Sequence, residues 1–312
     1  MLKQIIDIYE ILDAPSASGA RVQAYLKETG TAECEVNHVT SDKGATDFIK
    51  ITLPGRNGRI NGGDAPTLGI IGRLGGIGAR PERVGFVSDG DGALAVLAAA
   101  AKLGRMASLG DQLEGDVILS THICPNAPTR PHKPVPFMDS PIPMELKNQW
   151  EVAKEMDAIL SVDTTKGNKI LNHRGFAISP TVKEGYLLKT SDDLLELMAQ
   201  VTGQHPKVFA LSQQDITPYG NGLYHINSIM QPCTATTAPV VGVAITTEVP
   251  VAGCATGATH LTDVEAAARF TLEVAKSFTE GNCAFFDTAE YAEIVKLYGP
   301  MDHFQRDGKV VV

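Results

Sequence analysis

Residues 84–106 read VGFVSDGDGALAVLAAAAKLGRM, and in this stretch the chain changes from one kind of element to the other. The apolar start predicts a buried strand. After Asp89 and Asp91 comes an alanine-rich run, residues 93–101, built almost wholly of strong helix formers. Acidic side chains at its start suit the positive end of a helix dipole. The run is far too short to cross a bilayer. A strand, two carboxylates and a buried helix, in that order, point to an α/β sheet with polar residues placed at a strand end.

Working outward, the same alternation continues. Upstream, PTLGIIGRLGGIG (residues 66–78) is a short apolar strand entering a glycine-rich loop. CEVNHV (34–39) and DFIKITL (47–53) are rich in β-branched residues, and Pro54-Gly55 closes the second. The first thirty residues predict two helices broken at Pro15, with Ser16 or Ser18 as cap and Gly30 as stop. Downstream, DVILSTHI (116–123) is a strand, and a helix is expected over 144–156. DAILSVD (157–163), FAISPTV (176–182), HPKVFAL (205–211), the region of GLYHINS (222–228) and PVVGVAITT (239–247) read as further strands. SDDLLELMAQVTG (191–203) is a helix capped by Ser191 and stopped by Gly203. THLTDVEAAARFTLEVAKSF (259–278) is an amphipathic helix in which Thr262 and Glu265 have capping-box spacing, and a last helix covers 289–297. The stretch from Cys124 to Pro143 contains seven prolines, which neither a helix nor a central strand tolerates. This is a long surface loop of the kind that often carries function.

Strands alternating with helices predict a three-layer α/β/α sandwich with a mostly parallel, mixed central sheet, residues 1–312 forming a single domain. Ligands in such sheets bind beyond the carboxyl ends of the strands. Arg73, Asp89, His122 with Cys124, Asp163 and Cys254 all follow apolar strand runs and are the candidate site residues.

Bulk properties narrow the function classes. The chain has 312 residues, 43% hydrophobic and 20% charged, with a net charge of −9. An acidic surface repels phosphate backbones, and the short basic cluster of Arg80 and Arg83 has no interleaved aromatics, so no nucleic-acid partner is expected. The N-terminal segment carries Asp7 and Glu10 within its apolar pattern, which suits an amphipathic helix rather than a secretory leader. No membrane association is expected, and the expected compartment is the cytoplasm. Five widely spaced cysteines without a C-x-x-C pair read as free thiols.

Four segments resemble the zinc-dependent exopeptidase superfamily of aminopeptidases and deacylases. ILDAPSASGARVQAYL (11–26) resembles its opening helix and turn, and VSDGDGALAVLAAAAKL (87–103) its aspartate, glycine and apolar helix. DAILSVDTT (157–165) resembles the later strand ending in a metal-binding aspartate. APVVGVAITTEVP (238–250) with LTDVEAAARF (261–270) resembles the final strand and helix. The resemblance is to a bacterial branch with altered motifs. It implies metal-assisted hydrolysis of a small amide, a peptide or an acylated amino acid, with zinc as the divalent ion and a homo-oligomeric state. Asp89 would bridge the metals and Asp163 would be a terminal ligand. Three departures stand against this. Arg73 lies near the position of the first histidine, and no His-x-Asp occurs. Thr121-His122-Ile123-Cys124 stands where a Glu-Glu pair is expected. Near Gly253 the last histidine gives way to Cys254, with His260 further on. Either the fold persists as a binding or regulatory protein without a metal, or residues such as His122, Cys124, His132, His225, Cys254 and His260 rebuild the site. On the rebuilt reading His122 and Cys124 are catalytic, with His122 also a metal ligand. Arg73, His225 and Cys254 then bind substrate, the guanidinium holding a carboxylate. A further alternative is a cysteine-dependent racemase or hydrolase using Cys124 and Cys254.

Overall fold

The computed structural model describes residues 1–31, 33–73, 76–78, 85–131, 133, 137–253 and 256–306. Helix α1 (Leu2–Asp13) buries Ile5, Ile8 and Leu12, one stripe at helical spacing. Ser18 begins α2 (Gly19–Glu28) by accepting a hydrogen bond from the Arg21 N–H. β1 (Glu33–Ser41) and β2 (Gly44–Leu53) form an antiparallel hairpin, and β2 continues antiparallel to β4 (Val117–Ile123). The centre of the sheet is parallel: β4, β3 (Leu68–Gly72), β7 (Ala158–Thr164) and β11 (Val240–Thr246) lie side by side. Their sequences are nearly continuous apolar runs because both faces are covered. Beyond β11 the short strands β8 (Gly175–Ile178), β9 (Val182–Lys183) and β10 (Tyr186–Leu187) add antiparallel pairs. β5 (Thr129–Arg130) and β6 (Phe137–Met138) form a separate small ribbon in the proline-rich segment.

The two faces are covered differently. Val117, Leu119, Leu160, Val162, Val241 and Val243 point into one core, packed by α1, α3 (Asp91–Ser108), α5 (Asp192–Thr202) and α6 (Leu261–Thr279). Ile71, Ile118, Ile159 and Ala244 point to the other, where the cover is α4 (Met144–Glu151) and a 3-10 segment, Ser228–Ala235. The expected α/β fold with a mixed, mostly parallel sheet is present, but its second helical layer is thin. α7 (Thr288–Tyr298) is the last α-helix among the described residues. No helix among the described residues is long and apolar enough to cross a membrane.

Several sequence expectations need correction. Residues 85–87 are not a strand; they lead into the 3-10 turn Ser88–Gly90 and so into α3. Helix α4 ends at Glu151, not near 156. Pro180 splits the strand expected over 176–182. Residues 205–211 contribute only the bridge of Val208 to Ile178, and 222–228 form no strand. Thr262 does not cap α6, whose N-cap is His260, without a side-chain hydrogen bond. Ser191 and Gly203 bound α5 as expected.

Candidate active site

Lines of polar residues from both sheet halves converge where β3, β4 and β7 end. At the end of β4 the His122 ring is buried, 5.5 Å from Phe48. Its Nδ1 is hydrogen-bonded to Glu151 Oε1, and the Arg73 guanidinium donates through Nη1 to the other carboxylate oxygen of Glu151. Arg73 also points Nη2 at Met144 Sδ. All three residues are 3% exposed or less. Helix α4 is seated by Ser120, whose hydroxyl donates to Glu151 O at 2.7 Å, and by Trp150 stacked on Phe48 at 5.7 Å. Lys147, one turn before Glu151 and on the same helix face, is itself only 3% exposed.

The electrostatics follow from this arrangement. Burial alone would raise the Glu151 carboxyl, but Arg73 and His122 outweigh it and hold Glu151 below the usual range. Burial pushes His122 down, so its ring is neutral at pH 7. An ionised Glu151 then keeps the proton on Nδ1 and leaves Nε2 as the free, basic nitrogen.

Across the site stand two carboxylates. Asp89 lies in a 3-10 turn, Ser88–Gly90, and is half-buried. Its N–H and the Ser88 hydroxyl both donate to Gly253 O, at 3.1 and 2.9 Å. Asp163 is buried in β7, accepting from the Thr164 N–H at 2.7 Å and from the Ser228 hydroxyl at 3.3 Å. Burial, and after it the charge of Asp89, pushes Asp163 up to about 7; burial pushes Asp89 up to about 6. Both carboxyls are thereby brought into the range where protonation occurs near neutral pH, Asp163 ahead of Asp89. Beside them Asp91, fully buried and raised to about 6 by burial, pairs with Lys166 at 3.1 Å. Lys166 also donates to Ala258 O. Gly92 lets α3 begin this close to β7: a Cβ there would lie 2.5 Å from Val162 O and 2.8 Å from Arg73 O.

A cavity of about 900 Å³ opens above these groups, lined by Asp89, His122, Cys124, Lys147, Thr164, His225 and Ser228, with Lys43, Arg130 and Asp139 also on its wall. One wall is the loop from Thr217 to Ser228. Asp215, fully buried, holds it by accepting from the N–H groups of Ile226 and Asn227 and from the N–H and hydroxyl of Ser212. His225 packs on Tyr219 at 4.8 Å, and both of its ring nitrogens are buried without a partner among the described residues.

The structure thus brings Asp89, Asp163, His122 and His225 to one place. Arg73 is not on the cavity wall; its guanidinium is committed to Glu151, which makes it a positioning residue in place of the expected carboxylate clamp. Cys124 is on the wall, but burial pushes its thiol up to about 11 and its sulfur donates to Ala45 O, conditions that disfavour the thiolate a nucleophile needs. Cys254 and His132 lie outside the described residues. His260 is exposed and paired with Asp263, away from the cavity. Among the described residues no three His, Cys, Asp or Glu side chains come together as a metal's donor set requires. Asp89, Asp163 and His122, the anticipated ligand group, do not form such a set among the described residues; His122 turns Nδ1 to Glu151, and both Asp163 oxygens accept hydrogen bonds. Glu151 and Lys147 were not among the sequence candidates. Their signal was the i, i+4 spacing in the helix after the proline-rich segment, which elsewhere describes an ordinary solvated face.

A family profile described as "Protein of unknown function (DUF1177)" matches residues 37–308. No curated protein sequence matches the chain. Among solved structures, the chain is similar to the bottromycin maturation enzyme BotP in complex with Mn, at 14% identity and a TM-score of 0.49, over 86% of this chain and 70% of that one. It is also similar to the LapA aminopeptidase of Legionella pneumophila, at 11% identity and 0.44, over 86% and 63%. A third is the glutaminyl cyclase of an Acidobacteriales bacterium, at 14% and 0.45, over 84% and 85%.

Proposed function

We propose, for a chain that belongs to the DUF1177 family of proteins of unknown function, that the cavity is the active site of a hydrolase acting on a small amide, a short peptide or an acylated amino acid. The observation that carries the reading is the buried relay of Arg73, Glu151 and His122 ending at the cavity wall. Arg73 keeps Glu151 ionised, Glu151 fixes the His122 tautomer, and Nε2 is free to take a proton from water. The water oxygen adds to the amide carbonyl. On collapse of the tetrahedral adduct the C–N bond breaks, and the leaving nitrogen takes the proton held by the Asp89–Asp163 pair, delivered by Asp89, the member that lines the cavity. His122 returns its proton to the pair through solvent. Burial pushes the base down and the acids up, which favours an unprotonated His122 beside a protonated carboxyl, the two states this chemistry needs. His225, with unpartnered ring nitrogens, contacts the substrate. The donor set described above does not fit a divalent ion, and no step here is routed through one. Four described cysteines are free and buried, which supports a reducing, cytoplasmic setting.

The test is a screen of dipeptides, amino-acid amides and N-acyl amino acids, run with chelator and with added zinc or manganese, followed by mass spectrometry. Turnover that falls by roughly a hundredfold or more in His122→Asn supports the reading. Turnover unchanged in that variant, or no turnover of any member, overturns it.

A further inference from the structure

The mechanism above leaves Lys147 without a task. Its position is unusual for a lysine. It projects from α4 into the cavity wall, is 3% exposed, and among the described residues its ammonium makes no hydrogen bond or ion pair, only its backbone N–H donating, to Pro143 O. A buried ammonium kept for structure is normally paired. This one has Arg73 near it, a second fixed positive charge, while its open side faces about 900 Å³ of cavity. The titratable groups around it are Arg73 at the end of β3, His122 and Cys124 of β4, Glu151 of α4, Asp163 of β7 and Asp89 before α3. Burial first, then Arg73, drive the amine down to about 8 against the opposing pull of Glu151, Asp163 and Cys124. A desolvated lysine beside another cation in a ligand-sized cavity has the surroundings of an imine-forming amine.

We infer that Lys147 is a reactive amine that takes a small aldehyde or ketone as an imine within this cavity. The Nζ lone pair adds to the carbonyl carbon, and the C=O π electrons accept a proton to give a carbinolamine. Loss of hydroxide as water, with the nitrogen lone pair forming C=N, leaves the protonated imine; the protons exchange with cavity solvent. No oxidant or reductant is consumed. This activity does not depend on the hydrolytic reading, since Lys147 has no part in that reaction.

The experiment uses the full wild-type chain at neutral pH with glyoxylate or butanal as probe and cyanoborohydride to reduce any imine to a stable secondary amine. Peptide mapping then gives the labelling rate of every lysine. Relative to an exposed lysine, the free-amine fraction at Lys147 is larger on the order of a hundredfold. With entry into the cavity allowed for, Lys147 is expected to label about tenfold or more faster than any other lysine with at least one probe. The fast-labelled peptide should vanish in Lys147→Arg, whose fold is checked by circular dichroism. Lys147 labelled no faster than the exposed lysines with either probe, measured on the wild type alone, overturns the proposal.

Discussion

Glu151 is where charge and stability meet. Its carboxylate is the only described partner of the buried Arg73 guanidinium apart from Met144 Sδ, and it also holds His122. Removing one member of a buried ion pair strands the other in a medium that solvates it poorly. Glu151→Gln should therefore lower unfolding free energy by about 3–5 kcal/mol, read from urea denaturation, and should abolish turnover even at temperatures where the variant remains folded. Asp163 gives the opposite sign. Its carboxyl is raised from 3.8 to about 7 in the fold, so the protonated form is the one the fold favours. That contribution is complete below the unfolded value and is lost as pH rises through about 7. Asn keeps an acceptor for the Thr164 N–H and an amide for Ser228. Asp163→Asn should thus match the parent at pH 4 and exceed it at pH 8 by roughly 1–3 kcal/mol. Equal stabilities at pH 8 would show that the carboxylate is not held against its charge. Of these two residues the sequence disclosed Asp163, because a carboxylate after an apolar strand is visible as a pattern. It did not disclose Glu151, because nothing in MELKNQWE says which face of a short helix meets a histidine 29 positions away.

Among the elements, those with strong local signals were legible and those defined by distant partners were not. β1 through β4, β7 and β11 follow from β-branched and apolar runs, and α3, α5 and α6 from composition and periodicity. Residues 222–228 read as a strand because they carry Leu223, Tyr224 and Ile226, yet their backbone is taken by a side chain: Asp215 accepts from Ile226 and Asn227 and so replaces a sheet partner. This loop brings His225 to the cavity. Asp215→Ala leaves those N–H groups unpaired, and the loop should loosen while the sheet stays intact. Hydrogen exchange should rise at 217–228 and not in β7 or β11, with substrate KM raised more than kcat is lowered. Uniform loss of protection would instead mean that Asp215 supports the whole core. Gly253 makes a second element-level prediction. An added Cβ would lie 2.5 Å from Asp89 Oδ1, so Gly253→Ala must push the Asp89 carboxylate aside. The expected result is a loss of turnover at least as large as that of Asp89→Asn, with melting temperature within a few degrees of the parent.

At the scale of the molecule, the fold delivers basic side chains to the sheet edge from three separate places. Arg73 arrives at the end of β3, Lys147 from α4, and Lys166 from just after β7. They stand against Asp89, Asp91, Asp163 and Glu151. A metal ion, where one is used, supplies that charge itself and demands donors turned inward at once. Here the donors are turned to protein groups: Glu151 to Arg73 and His122, Asp163 to Thr164 and Ser228, Asp91 to Lys166. Binding a divalent ion through Glu151 or Asp91 would mean giving up these contacts, and any ion here would stand beside the guanidinium of Arg73 and the ammonium of Lys166. Dialysis against a chelator should therefore change neither the melting temperature nor turnover, and zinc or manganese should not raise the melting temperature, as any ion binding the native state would. A metal-dependent rise that disappears in Asp89→Ala would reverse this conclusion. It would mean that a residue outside the described ones, with Cys254 next to Gly253 the first to replace, completes a donor set with Asp89.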